Sequence, residues 1–212
     1  MRAVIFANGV LRDPESARTK IRADDLLIAA DGGFHHCSRL GLMPSILIGD
    51  FDSLDEVELI NLQRLGVEII RHPAKKDFTD LELALQHVKS LGIQEVIVLG
   101  ALGARWDQTI ANLLLPASQE LKDLRIILMD GSQEIHLLCG GAKDAYLELH
   151  GQLGDIVSLI PLGGDAHGVT TEGLEYPLHK GTLYFGASRG VSNTLLKPNA
   201  TIYLEDGLLM CI

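Results

Sequence analysis

The stretch Ile46-Leu-Ile-Gly-Asp50-Phe-Asp52-Ser53-Leu-Asp-Glu56 carries the fold in miniature. Ile46–Ile48 is apolar and β-branched, too short for a helix, and reads as a buried parallel strand. It runs directly into an acidic turn at Asp50 and Asp52. Ser53, with Glu56 three residues on, then has the form of a capping box, followed by Leu54, Val57, Leu62 and Leu65 and stopped by Gly66. The pattern recurs on both sides. Short apolar runs lie at Ala3–Ala7, Leu26–Ala30, Val67–Ile70, Val96–Leu99 and Ile126–Met129. A second capping box, Thr79 to Glu82, leads Leu81, Ala84, Leu85, Val88 and Leu91 to a stop at Gly92. Strands alternating with helices predict an α/β domain with an open parallel sheet. Three of the runs end in aspartate, at Asp31, Asp50 and Asp130. Ligands of such sheets bind beyond the carboxyl ends of the strands, although any single aspartate there also serves as a turn residue or helix N-cap.

Beyond residue 130 the texture changes. Residues 1–130 hold nine glycines and the shorter segment 131–212 holds thirteen, and helical periodicity stops. Short runs at Ala145–Leu149, Asp155–Ile160, Thr182–Phe185, Thr201–Leu204 and Leu208–Ile212 alternate with turn residues and predict an all-β sandwich or small barrel. The expected domains are therefore 1–130 and 131–212, divided near Gly131.

The 212 residues are 47% hydrophobic and 22% charged, which suits a folded globular chain rather than a disordered one. The net charge of −10 opposes a phosphate backbone, so no nucleic-acid partner is expected. Cys37, Cys139 and Cys211 are odd in number and form no C-x-x-C pair. They read as reduced core residues of a cytoplasmic protein. No signal peptide or ~20-residue apolar span is legible, so no membrane partner is expected. P-loop, G-x-G-x-x-G and H-E-x-x-H motifs are absent.

In extended chain Asp50 and Asp52 share a face, and two neighbouring carboxylates repel unless a cation lies between them. Magnesium, which takes carboxylate, water and phosphate oxygens, fits that role. Ser53 reads as a helix N-cap. In Lys75-Lys76-Asp77-Phe-Thr79-Asp80 the lysines and the helix start suit an anion and Asp77 suits the same metal; equally, this is a solvated loop with Asp80 favoured by the helix dipole. Gly100 to Gln108 is a glycine-rich turn after a strand. Arg105 there can fork onto phosphate oxygens, whereas Asp107 suits a helix cap and Trp106 suits packing on the sheet. Asn112 lies one helical turn beyond Gln108.

As an ordered set, Ala30-Asp-Gly-Gly33, Gly49-Asp-Phe-Asp-Ser53, Lys76-Asp-Phe-Thr-Asp80 and Gly100–Gln108 with Asn112 resemble the thiamine pyrophosphokinase family. Gly168-Val-Thr-Thr-Glu-Gly173-Leu and Ser188-Arg-Gly-Val-Ser192-Asn193 resemble its β-domain signatures. The resemblance implies a Rossmann-like nucleotide domain followed by a β-sandwich that binds thiamine and dimerises. It implies ATP-dependent transfer of a diphosphoryl group to thiamine, giving thiamine diphosphate and AMP, in a homodimer whose active site lies between subunits. It places Asp50, Asp52 and Asp77 at Mg2+; on chemical grounds a nearby carboxylate, Asp77 or Asp80, is the candidate acceptor of the alcohol's proton. It places Asp31, Gly32, Gly33, Lys76, Thr79, Gly103, Arg105, Asp107 and Gln108 around the nucleotide, and Ser192 and Asn193 at thiamine. Where eukaryotic members carry a tryptophan near the C-terminus, this chain has Gly207-Leu-Leu-Met210. The alternatives are a diphosphokinase for another alcohol, such as a hydroxymethylpterin, and a non-catalytic nucleotide or thiamine sensor.

Overall fold

The computed structural model describes residues 1–52, 54–142 and 145–212. They form two compact units, Met1–Glu134 and Ile135–Ile212. In the N-terminal unit six strands alternate with five helices: β1 Ala3–Phe6, α1 Pro14–Thr19, β2 Leu26–Ala30, α2 Phe34–Arg39, β3 Ile46–Gly49, α3 Glu56–Arg64, β4 Glu68–Arg71, α4 Asp80–Ser90, β5 Glu95–Leu99, α5 Trp106–Leu114 and β6 Arg125–Asp130. All the strand pairs are parallel, in the order β6-β5-β1-β2-β3-β4. The chain winds outward from β1 to β4, then returns to lay β5 on the other side of β1. The ends of β1 and β5 are thus a topological switch point.

Central strands β1 and β3 are buried along their whole length, whereas edge strand β4 exposes Glu68 and Arg71. That is why β1 and β3 read as unbroken apolar runs. Val4, Phe6, Ala29 and Leu47 from the sheet pack with Phe34, Leu59, Leu62 and Val67. The expected apolar face of α4 is buried through Leu81, Ala84, Leu85 and Val88, and Thr79 caps this helix by accepting a bond from the Glu82 amide at 3.2 Å. The other capping box is displaced. Ser53 lies outside the described residues, and the N-cap of α3 is Asp55, which accepts from the Glu58 amide at 2.6 Å. Asp55 and Glu58 repeat the same spacing two residues later, with the stronger acceptor. Trp106, expected on the sheet, is 82% exposed, because α5 begins at that residue and turns it outward. The two short helices α1 and α2 left no periodic signal; α1 is set by its Asp13 cap and Pro14.

The C-terminal unit is antiparallel. Its strands are β7 Gln133–Cys139 (which starts just before the division), β8 Tyr146–His150, β9 Ile156–Val157, β10 Leu159–Pro161, β11 Ala166–Glu172, β12 Gly181–Leu183, β13 Asn193–Thr194, β14 Asn199–Tyr203 and β15 Leu208–Cys211. They pair as β10-β15-β7, β12-β11-β14-β8 and β13-β9. One core joins Leu138, Leu159 and Leu209 to Val169, Leu183, Ala200 and Ile202. Strands β7 and β11 went unread in the sequence. In β11, Gly168 at φ +66° sits in a register shift between Ala166 and Val169, which breaks the alternation. The fold is mixed α/β, with a parallel sheet followed by antiparallel sheets.

Cys37 and Cys211 are buried, which pushes their thiols up to about 12, but Cys139, expected in the core, is exposed. Met210 is buried in β15. Among the described residues no helix is long and apolar enough to cross a membrane.

Candidate active site

A cleft of about 550 Å³ opens at the carboxyl ends of β1, β2, β3 and β5. The pairing of β2 with β3 puts Ala30 beside Ile48, so the next residues on each strand, Asp31 and Gly49, also meet. The missing side chain of Gly49 leaves room for the Asp31 backbone. Asp50 and Asp52 follow, and carboxylate oxygens of Asp31, Asp50 and Asp52 lie within 4.8 Å of one another. The convergence does not come from extended chain, as the D-x-D spacing suggested. Phe51 is left-handed at φ +60°, and the Asp52 amide donates to Asp50 Oδ1 at 3.2 Å. The chain turns back on itself, bringing both carboxylates to one side.

Asp31 is itself left-handed at φ +46°. Its Oδ1 is buried without a hydrogen-bond partner, while Asn8 Nδ2 approaches Oδ2 at 3.4 Å. Burial pushes the Asp31 carboxyl above the ordinary range, and the charges of Asp80, Asp50 and Asp52 add to this against the opposing Gly32 amide. Hard oxygen donors, repelling one another, with one left orphaned, fit a hard divalent cation. Backbone strain of about 1–3 kcal/mol at such a residue persists only where surrounding structure enforces it.

The other wall is built from helix starts. Thr79 and Asp80 of the α4 N-terminus, and Arg105 and Gln108 of the α5 N-terminus, line the cleft with Lys76 and Gly103. Both helices present amide groups and positive dipole ends to it. Lys76 Nζ pairs with Asp80 Oδ1 at 2.6 Å. Arg105 pairs with Asp107, so each shifts the other: the hydrogen bond holds the Asp107 carboxyl below the ordinary range and the Arg105 guanidinium above it. Asp107 is therefore a partner of Arg105 rather than a helix cap; Arg105 occupies the N-cap position.

Gly32 and Gly33 are buried behind Asp31, where a Cβ would overlap the Asn8 side chain and the Phe6 carbonyl oxygen. They serve close backbone approach and do not line the cleft. Asp77 is exposed and stands outside the three-carboxylate group, whose third member is Asp31. Register explains the exchange: Asp31 is on the strand adjacent to Asp50, a relation that linear spacing hides. Sequence reasoning also missed Asn8, and assigned no role to Asn112, whose Nδ2 donates to the Ala101 carbonyl at 2.6 Å.

In the C-terminal unit Asn193 is occupied by backbone. Its Oδ1 accepts from the Tyr176 and Thr194 amides, and its Nδ2 donates to the Tyr176 carbonyl at 2.8 Å. Ser192 is left-handed at φ +63°, held by its amide to Ser158 Oγ at 3.1 Å.

The N-terminal unit is thus an α/β protein with an acidic cleft, faced by helix N-termini, at the switch point of a parallel sheet. Residues 17–128 match the thiamin pyrophosphokinase catalytic domain, and residues 146–209 match the thiamin pyrophosphokinase vitamin B1 binding domain. The chain belongs to the thiamin pyrophosphokinase family. It is 28% identical over 187 residues to thiamine pyrophosphokinase of Bacillus subtilis, covering 88% of this chain and 86% of that one. It is 29% identical to thiamine pyrophosphokinase 1 of Arabidopsis thaliana, covering 80% of this chain and 65% of the relative. The crystal structure of thiamine pyrophosphokinase from Bacillus subtilis shares the fold with a TM-score of 0.86 at 24% identity, over 100% of this chain and 97% of that one. That from Geobacillus thermodenitrificans gives 0.83 at 25% identity, over 100% and 96%.

Proposed function

We propose that this chain transfers the terminal diphosphoryl group of ATP to the hydroxyl oxygen of thiamine, releasing AMP, with Asp31, Asp50 and Asp52 holding Mg2+. The observation that carries this reading is the convergence of those carboxylates beside a cleft faced by two helix N-termini. Bound there, Mg2+ offsets negative charge on the phosphates. The remaining task is positioning, since phosphoryl chemistry asks little covalent work of the protein. Lys76, steadied by Asp80, and Arg105, steadied by Asp107, present cations to the phosphate chain. The first amides of α4 and α5 add donors. Asp77 and Asp80 are the candidates for accepting the thiamine hydroxyl proton; Asp80 has one oxygen committed to Lys76, which leaves the other for this task.

The N-terminal domain, residues 1–130, serves as a Rossmann-like nucleotide and catalytic domain; the reversal of strand order at β1 supports this. Residues 131–212 form a β-sandwich for thiamine binding and dimerisation, a reading supported by the single core shared between its antiparallel sheets. With its backbone bonds, Asn193 acts there by shaping the Tyr176 and Ser192 segment. The protein works as a cytoplasmic homodimer. Trp106, Ile110 and Leu114, one exposed apolar stripe along α5, support a partner copy. Trp106→Glu is expected to shift the sedimenting species to monomer.

Phosphorus NMR with ATP, Mg2+ and thiamine tests the reaction. AMP and thiamine diphosphate forming together are expected. ADP with thiamine monophosphate, or ATP binding without turnover, would overturn diphosphoryl transfer to thiamine.

A further inference from the structure

Between the two aspartates of the acidic turn sits Phe51, an aromatic residue in a backbone conformation that side chains with a Cβ disfavour. Its ring is 3% exposed and belongs to the core of the N-terminal unit. The edge strand β4 covers it. The Gly49 carbonyl accepts from the His72 amide at 2.8 Å, and Gly49 pairs with Arg71 in register. The Arg71 guanidinium lies 5.5 Å from the centre of the Phe51 ring, over its face. Arg71 Nη2 is held in turn by Glu56 Oε1 at 3.0 Å, from the first turn of α3. Both partners of that ion pair are more than half exposed, at 51% and 76%, so the pair contributes little to global stability. A structural purpose for it is therefore weak, and its position is specific: it presses the one residue whose left-handed turn joins Asp50 to Asp52.

We propose that Arg71 is a positioning residue for the metal site, its guanidinium clamping the Phe51 ring so that the turn holds the Asp50 and Asp52 carboxylates toward Asp31. Glu56 orients the clamp and α3 anchors it. The inference rests on the metal-site reading of the three aspartates. Removing the ring's cover lets Phe51 relax toward ordinary backbone geometry, which separates the two carboxylates. Outer groups that orient metal ligands are worth about 10–100-fold in affinity.

The test is a titration of the metal-free protein with Mn2+ alone, followed by electron paramagnetic resonance. Arg71→Ala is expected to weaken Mn2+ binding about tenfold with the melting temperature nearly unchanged, and Glu56→Ala a few-fold. Arg71→Lys, which keeps a cation for the ring, is expected to recover most of the loss. Phe51→Leu, which keeps an apolar core residue and removes the aromatic face, is expected to match Arg71→Ala. In turnover, the metal concentration for half-maximal rate rises while kcat at saturating metal is retained. Unchanged or tighter Mn2+ binding in folded Arg71→Ala overturns the clamp and leaves the metal site standing. Absence of Mn2+ binding in the unsubstituted protein overturns both.

Discussion

The two edges of the parallel sheet are built on opposite principles. At the amino edge, charges are matched. Arg2 grips Asp25 through two bonds, at 2.9 and 2.7 Å, and donates to the Lys20 carbonyl. Glu95 stands 3.9 Å from both Arg2 and Arg125. Burial works to raise the Asp25 carboxyl, but Arg2 and the Arg22 amide outweigh it, so its pKa lies below the ordinary value. At the carboxyl edge Lys76 pairs with Asp80 and Arg105 with Asp107, but among the described residues the three aspartates that converge there carry no matching cation. Asp31, Asp50 and Asp52 converge, Asp31 keeps an orphaned oxygen, and Asp31, Phe51 and Ala104 are left-handed. One edge holds the unit together; the other stores repulsion and strain where a ligand relieves them.

Substitutions at the two edges should therefore separate activity from stability. The largest effect is expected of Asp52→Asn: turnover falls by about three orders of magnitude or more with the fold intact, the scale of losing a charge-stabilising group. Near-normal rates in this variant, measured by AMP release, would break the contrast at the carboxyl edge. Arg2→Ala should do the reverse. It leaves Asp25, whose side chain is 1% exposed, without its cation. The cost is about 3 kcal/mol, or roughly 6–12 °C in melting temperature, with kcat of the folded protein unchanged.

Asp31→Asn sharpens the comparison through pH. Because the folded-state pKa of Asp31 is raised, its charge reduces stability at neutral pH, and this loss disappears as pH falls through the raised value. The metal-free variant is expected to melt above the unsubstituted protein at pH 7, and the two curves to converge on acidification. Asp25 has the opposite sign: its contribution is complete above the ordinary carboxylate range and fades as pH falls through its lowered pKa. A variant melting lower at pH 7 would show that Asp31 is compensated. The smallest effect is expected of Arg125→Ala, a half-exposed contact to Glu95 worth less than about 1 kcal/mol by denaturant titration. A larger loss would spread the amino edge's stability beyond Arg2 and Asp25.

What was legible along the chain is what local chemistry decides. The β1 and β3 runs are apolar because both faces of a central parallel strand are covered. Thr79 announces α4 because an N-cap acts within three residues. Asp50, Asp52, Lys76 and Arg105 were readable because acidic and basic residues cluster at strand ends and helix starts. What stayed hidden depends on neighbours distant in sequence. Asp31 replaces Asp77 in the acidic group through β2–β3 register, and Gly32 and Gly33 are dictated by the Asn8 side chain and the Phe6 carbonyl. Asn193 faces the Tyr176 backbone, across a β-bridge between Leu174 and Leu195. In β11 a bulge erased the period that would have revealed the strand.

Three things were already written in the order of residues: the alternation of strands and helices, the change to β structure after residue 130, and the ordered motifs of a diphosphoryl-transfer enzyme. The first two follow from short-range propensity and hydrophobic period; the third is legible through the resemblance of the motifs, taken in order, to a known family. Folding in three dimensions sets which carboxylates meet, why Phe51 turns left-handed to join them, and that Arg71 from the next strand lies over its ring. Those relations come from register and packing between segments far apart in the chain, where a distance of a few ångströms carries no local trace.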